Sequence, residues 1–319
     1  MSGLIDPGAL TAPPSAETAD FNRWLRETLA AIPQAHEVPV EVVRQARAEG
    51  KGPMPLGGPH DPAFWRDAPT PLGRVRVSPP LGESRGAVLH LHGGGWTFNA
   101  PDYYDAWNLA LAREAGVTVL SAPYRLAPEH RWPACADDAE AAALWLLEQA
   151  SAFGGGVAII GESSGAHLAA VTLLRLKARG LVDRVAGAAL TYGAFDLRMT
   201  PSMAAWGDDN LILSTPVVDW FIDNLTAGDR ALRADPAVSP LLADLSGLPP
   251  CLLTCGTADA LLDDTLFMAC RLAAAGAAVE TRIVPGGCHA FDLFDIAIAR
   301  EHHAALAAFV RARLDAAAT

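Results

Sequence analysis

The chain has 319 residues, 51% of them apolar and 19% charged, and a formal net charge of −12. That apolar share excludes a disordered chain, and the acidic balance excludes a nucleic-acid partner, because phosphate binding needs clustered Lys and Arg. It also disfavours a strongly anionic substrate.

In chain order, the opening MSGLIDPGAL lacks the basic region and apolar stretch of a signal peptide. No apolar run approaches the ~20 residues of a membrane span, so a cytoplasmic protein is expected. Phe21–Leu29 has helical spacing, after which Pro53, Pro55, Gly57, Gly58 and Pro59 forbid a long regular element. From Gly73 short Val-, Ile- and Leu-rich runs alternate with alanine-rich helical segments, the pattern of βα units and a mainly parallel sheet. The expected strands are 87–91, 117–120, 157–160, 185–190, 251–254 and 279–284, continuously apolar as strands covered on both faces are. Helices are expected near 104–115, 135–150, 164–179, 263–275 and 292–316. Between Asp196 and Asp244 there is no strand text, and Trp206, Trp220 and Phe221 stand among polar residues. That stretch reads as an insertion over the C-terminal edge of the sheet, where ligands bind in open α/β sheets.

His92-Gly93-Gly94-Gly95-Trp96 closes the first expected strand. Three glycines let backbone N–H groups approach a ligand with no Cβ in the way, and such donors hold the charge that acyl transfer builds on a carbonyl oxygen. Alone, the run reads equally well as a flexible turn over a packed His92. Gly161-Glu162-Ser163-Ser164-Gly165 decides for the oxyanion hole, because it follows a strand and opens a helical run. In that setting G-x-S-x-G is a nucleophile elbow, a strained turn that pushes the serine outward, with a helix N-terminus that favours negative charge. The expected oxyanion donors are the amides of Gly93, Gly94 and Ser164.

Serine is a weak nucleophile, so a histidine must take its proton and a carboxylate must hold that histidine. The chain order should be serine, acid, histidine. His167 falls in the helix after the elbow, and His302 and His303 fall in the last helix. His289 follows the last strand through Pro285-Gly286-Gly287-Cys288, which puts it at the sheet edge as the base. Asp259 ends the run after strand 251–254 and is the expected orienter, while Asp263 and Asp264 read as helix N-terminal charges. His130, in Tyr124–His130, precedes the serine and reads as part of a structural turn. The five cysteines, Cys135, Cys251, Cys255, Cys270 and Cys288, are odd in number and scattered, so no disulfide framework is expected. Cys251 and Cys255 read as buried, since no second pair stands at zinc spacing.

Together HGGGW at 92–96, YRLAPEH at 124–130, GESSG at 161–165, GTADALLDD at 256–264 and GCHAF at 287–291 resemble the hormone-sensitive-lipase family (family IV) of bacterial esterases, in the α/β-hydrolase superfamily. The motifs run in the family's order within residues 87–295, and Asp235-Pro236 to Ser239-Pro240-Leu241-Leu242 is similar too. The resemblance implies an α/β-hydrolase fold with a mostly parallel sheet flanked by helices and a helical cap over the active site. The cap would comprise residues 1–60 and an insertion at about 196–230 of a catalytic domain, 61–319. It also implies a carboxylesterase for short- to medium-chain esters, with no metal or organic cofactor. Two positions depart from the family: Glu162 stands where Asp is usual, and Gly165-Ala166 where two glycines are usual. The string SSGAHLAA also resembles arylformamidases, which hydrolyse a formyl amide, and that amide-hydrolase alternative stays open. A non-catalytic small-molecule binding member of the fold is the other alternative, although the chain retains all three expected catalytic residues. Trp96, Phe98, Trp206, Leu211, Trp220 and Phe291 are candidates for an apolar substrate-pocket wall, each equally readable as core. The last strand and final helix offer an edge for a homodimer.

Overall fold

The apolar runs assemble into one eight-stranded sheet in the computed structural model, which describes residues 3–317. Its strands are β1 (Trp65–Asp67), β2 (Arg74–Ser78), β3 (Ala87–Leu91), β4 (Thr118–Ser121), β5 (Val157–Glu162), β6 (Val185–Thr191), β7 (Cys251–Ala258) and β8 (Val279–Cys288). They lie in the order β1-β2-β4-β3-β5-β6-β7-β8. The pairs β1–β2 and β2–β4 are antiparallel, and every pair from β4 to β8 is parallel. The helices are α1 (Pro7–Thr11), α2 (Ala16–Ala30), α3 (Val40–Ala48), α4 (Asp105–Ala115), α5 (Ala134–Gln149), α6 (Ser164–Ala178), α7 (Pro201–Ala205), α8 (Thr215–Thr226), α9 (Arg230–Arg233), α10 (Leu262–Ala274) and α11 (Ala297–Ala317).

Successive side chains of a strand point to opposite faces, and helices cover both faces of this sheet. Val88, Val119, Ala158 and Ile160 cluster with Leu111 and Ala112 of α4 and with Val310 and Leu314 of α11. The alternate residues Leu89, Leu91, Ile159 and Leu190 cluster with α5 and α6. Burial on both sides explains why the sequence of β3 is apolar almost without a break; all five of its residues are buried. Cys251 and Cys255 are buried within β7, as their apolar setting implied. Among the described residues no helix is long and apolar enough to cross a membrane.

Three local expectations are corrected. The expected strands begin at Ala87, yet β1 and β2 extend the sheet with residues before it. Arg76 lies inside β2, paired with Asp105, and each side chain is 1% exposed. A partner 29 residues away leaves no local trace in the sequence. Residues 285–288, expected as a turn, continue β8: Ala258 pairs with Cys288 past a register shift at Gly256/Ala258, and Gly286 supplies the φ of 72°. Finally, α11 starts at Ala297 and not near 292, because Phe291–Leu293 form a separate short turn.

The N-terminal helices lie against the loops that leave the C-terminal ends of the strands. Leu25 and Leu29 of α2 pack with Tyr192, Cys255, Cys288 and Phe291, and Asn22 Nδ2 donates to Gly286 O at 2.7 Å. On α3, Arg44 donates to Thr97 O at 3.0 Å, to Ala127 O at 2.8 Å and to Glu129 at 2.7 Å. The stretch 196–244 contributes α7, α8 and α9 and no strand beyond a bridge between Leu211 and Leu213.

Candidate active site

Ser163 occupies the turn between β5 and α6 with φ 55° and ψ −124°. A non-glycine residue in that region is strained, and such strain persists only where the surroundings impose it. The surroundings here leave no alternative. A Cβ on Gly165 would lie 1.9 Å from Leu91 O, and one on Gly161 would lie 2.4 Å from the Gly165 carbonyl. The helix N-terminus and strand end can approach this closely only without those side chains, and the serine is thereby turned outward.

Ser163 Oγ lies 2.9 Å from His289 Nε2, and His289 Nδ1 lies 2.9 Å from Asp259 Oδ2. β5 and β7 flank β6, and β8 lies beyond β7, all parallel, so the loops that leave the same ends of β5, β7 and β8 bring positions 163, 259 and 289 together at one edge of the sheet. Asp259 is 1% exposed and His289 4%. The other oxygen of Asp259 accepts the Leu261 amide at 2.9 Å, which aims the first at the imidazole. The Tyr192 ring sits 4.6 Å from the His289 ring, and its hydroxyl donates to Asp292. His167 and His302 are buried elsewhere.

The glycine loop departs from expectation at one amide. Gly93 N–H donates to Glu162 Oε1 at 2.7 Å, so it is not available to an oxyanion. The Gly94 amide has no partner among the described residues, and the Ser164 amide belongs to the first turn of α6, whose N–H groups have no intrahelical acceptor. Gly94 adopts φ 124°, and a Cβ there would lie 2.4 Å from Phe98 O. His90, which no motif marks, donates Nε2–H to Glu162 Oε2 at 3.0 Å and receives Ser121 and Asn108 at Nδ1 at 2.7 and 3.2 Å. Tyr124 OH fixes the loop from below by donating to His92 O at 2.7 Å.

The cavity at Ser163 holds about 80 Å³. None of the six expected wall residues lines it. Trp96 is 2% exposed and donates its indole N–H to His167 Nδ1 at 3.1 Å. Phe98, Leu211 and Phe291 are fully buried. Trp206 is half-buried and donates to Asp209 O at 2.7 Å, and Trp220 packs on Phe98 and Phe221. Apolar side chains of this size reach burial in the core just as well as at a cavity, which is why hydrophobicity alone misassigned them. The apolar lining instead includes Ala35, Met54, Ile212, Leu213, Val217 and Phe221. The period of α8 carried part of this: Val217, Val218, Phe221, Ile222 and Leu225 form its buried face. Arg47, Asn99 and Tyr104 add polar lining that no motif marked. Among the described residues no group of three or more His, Cys, Asp or Glu is arranged for a metal ion.

Residues 88–293 match the family model of the alpha/beta hydrolase fold. Carboxylic ester hydrolase LipN of Mycobacterium tuberculosis is 38% identical over 243 residues, covering 72% of this chain and 64% of that protein. Ethyl acetate hydrolase of Pseudomonas putida is 36% identical over 212 residues, covering 64% of this chain and 65% of that one. The match thus spans just under two thirds of the length of either relative. A hormone-sensitive lipase from a metagenome library superposes with a TM-score of 0.81 at 25% identity, over 94% of this chain and 99% of that one.

Proposed function

The chain belongs to the α/β-hydrolase family, in its hormone-sensitive-lipase branch, and we propose that it is a serine carboxylesterase acting on short- to medium-chain esters. The observation that carries this reading is the relay of two 2.9 Å contacts from Ser163 through His289 to Asp259. Ser163 Oγ attacks the ester carbonyl while neutral His289 takes its proton at Nε2. Asp259 holds the Nδ1–H tautomer and favours the imidazolium that forms. The amides of Gly94 and Ser164 receive the oxyanion, and Gly93, engaged by Glu162, steadies the loop. His289 protonates the departing alcohol, and water then repeats the sequence on the acyl-enzyme.

Names of the relatives support ester chemistry: one is a carboxylic ester hydrolase and another hydrolyses ethyl acetate. The N-terminal helices and the stretch around α7–α9 serve in this proposal as a cap that excludes water from the acyl-enzyme. A cytoplasmic setting fits five cysteines that form no disulfide. A homodimer along β8 and α11, at one edge of the sheet, belongs to the same proposal, and sedimentation checks it.

The test is hydrolysis of p-nitrophenyl esters from acetate to laurate, beside N-formylkynurenine, by wild type and Ser163→Ala. Turnover of the shorter esters that vanishes in the mutant is the expected result. Turnover of the formyl amide alone would replace the esterase reading with the arylformamidase one. Failure of both, with no fluorophosphonate labelling of Ser163, would leave a binding protein.

A further inference from the structure

Arg47 stands where two cavities meet. One is the cavity at Ser163, and the other, of about 330 Å³, is lined mainly by apolar side chains such as Leu29, Ile32, Val38 and Val42. Ala35, Arg47, Met54, Ile212 and Val217 line both, so the two cavities adjoin at these side chains. Arg47 Nη1 donates to Asn99 Oδ1 at 2.6 Å, and the guanidinium carbon lies 4.9 Å from the centre of the Phe98 ring. No carboxylate pairs with Arg47 among the described residues, and its remaining N–H groups have no acceptor. Arg44, one turn earlier on α3, is by contrast engaged by Glu129 and two carbonyls. Burial lowers the Arg47 pKa from its ordinary value, although a guanidinium keeps its charge at any working pH. Arg47 is half-buried, and a guanidinium at a cavity wall with free N–H groups and no counter-charge is a ready partner for an anion.

A second donor faces the same chamber. Tyr104 is 5% exposed and lines the cavity at Ser163. Its oxygen accepts Asn99 Nδ2 at 3.1 Å, while no acceptor takes its own proton. Burial raises its pKa well above the ordinary phenol value, so that proton stays in place. Asn99 also donates to Gly93 O at 3.1 Å, which joins this polar corner to the loop beside the nucleophile.

Resting on the esterase reading above, we propose that the preferred esters carry a second, ionised carboxyl group, which Arg47 and Tyr104 bind while Ser163 attacks the ester carbonyl. A planar guanidinium with a phenol beside it matches a carboxylate in shape and in number of donors. One uncompensated cation suits a monoanion, and the chain's net charge of −12 opposes a dianion such as phosphate. The other cation at the larger chamber, Lys51, is paired with Glu49 at 2.6 Å. Glu162, the carboxylate lining the cavity at Ser163, has one oxygen on the Gly93 amide and the other on His90. Apolar Met54, Ile212, Val217 and Phe221 then receive the methylenes between the two carboxyl groups. Hydrolysis consumes one water and releases a diacid and an alcohol, so no other reactant is required.

The test compares monoethyl esters of straight-chain diacids, from succinate to suberate, with ethyl esters of the monoacids of equal length. Rates are followed near neutral pH for wild type, Arg47→Met and Tyr104→Phe. The readout is the ratio of kcat/KM for charged over neutral ester. Wild type should favour the charged ester, and Arg47→Met should lower the ratio about tenfold or more, mainly through KM. Tyr104→Phe should lower it less, and added salt should narrow it. A wild type without preference, or a ratio unchanged in Arg47→Met, overturns the proposal while neutral-ester turnover keeps the esterase reading intact. If no ester is hydrolysed at all, the esterase reading fails and glutarate calorimetry decides the anion site. Binding by wild type that is lost in Arg47→Met supports the site, and no binding by wild type removes it.

Discussion

Glu162 accepts the backbone amide of Gly93 at 2.7 Å with one carboxylate oxygen, and its other oxygen receives His90 Nε2–H at 3.0 Å. The residue before the nucleophile thereby ties the elbow to the glycine loop. Behind it, Ser121 and Asn108 hold His90, so the chain of hydrogen bonds runs from β4 and α4 to the loop. Buried networks of this kind are rigid when every member is satisfied.

Glu162→Ala leaves the Gly93 amide and His90 without an acceptor and frees the loop that presents the Gly94 amide. The expected result is a fall in kcat for p-nitrophenyl acetate of about 10²-fold with KM little changed, as when oxyanion donors are misplaced. Glu162→Asp is one methylene shorter and cannot reach both partners, so a smaller loss is expected. Steady-state kinetics on the pair check this, and wild-type kcat in Glu162→Ala would show that the loop holds itself.

Asp259→Asn presents an amide to His289 Nδ1 and favours the wrong tautomer. We expect kcat to fall by roughly 10⁴-fold, with fluorophosphonate labelling of Ser163 slowed in parallel. A loss of labelling accompanied by a collapsed melting temperature would mean that the buried carboxylate acts on the fold.

Acid should destabilise the protein through histidines that are buried neutral. His167 receives the Trp96 indole N–H at Nδ1 and donates Nε2–H to Val238 O at 2.7 Å, so a second proton would displace Trp96. Burial lowers the His167 pKa to about 4 and that of His92 to about 3. An unfolded histidine titrates near 6.5, so below that pH the unfolded chain binds more protons, and unfolding free energy falls until the folded pKa values are reached. Asp264, whose pKa burial raises to about 7, acts with the opposite sign over the same range, so the histidine share is read as the difference in urea midpoint between wild type and His167→Gln, which should open below about pH 6.5. His167→Gln, which can keep both hydrogen bonds, should decline less steeply, and an identical slope would assign the effect elsewhere.

Gly165→Ala tests the elbow as a packing problem. The added Cβ would meet Leu91 O at 1.9 Å and His92 O at 2.7 Å, both backbone atoms that cannot swing aside. A loss of about 3 kcal/mol or more is expected, read as a lowered melting temperature or as insoluble protein. Wild-type stability would show that β3 can shift.

The corrected cavity wall predicts a contrast between neighbours on α8. Phe221 lines the cavity at Ser163, and Trp220 does not. Phe221→Ala should move the optimum of the p-nitrophenyl ester series to longer acyl chains, whereas Trp220→Ala should leave it near the wild-type length. The reverse order would return Trp220 to the wall.

What the amino-acid sequence determined by itself is the chemistry that depends on adjacent residues. An elbow needs its glycines beside the serine, so Gly161, Ser163 and Gly165 were legible together. Strands buried on both faces are apolar without alternation, which marked β3 to β8 and, through the loops at their ends, Asp259 and His289. Tertiary structure alone decided which groups are already engaged. The Gly93 amide is taken by a carboxylate 69 residues away, Arg76 is admitted to β2 by Asp105, and Arg47 is left without a carboxylate beside the cavity at Ser163. The same holds for Phe221 lining that cavity while Phe98 and Phe291 pack in the core. Hydrophobicity and charge are properties of one residue, whereas a partner or a void is a property of several residues brought together by the fold, and no local pattern encodes it.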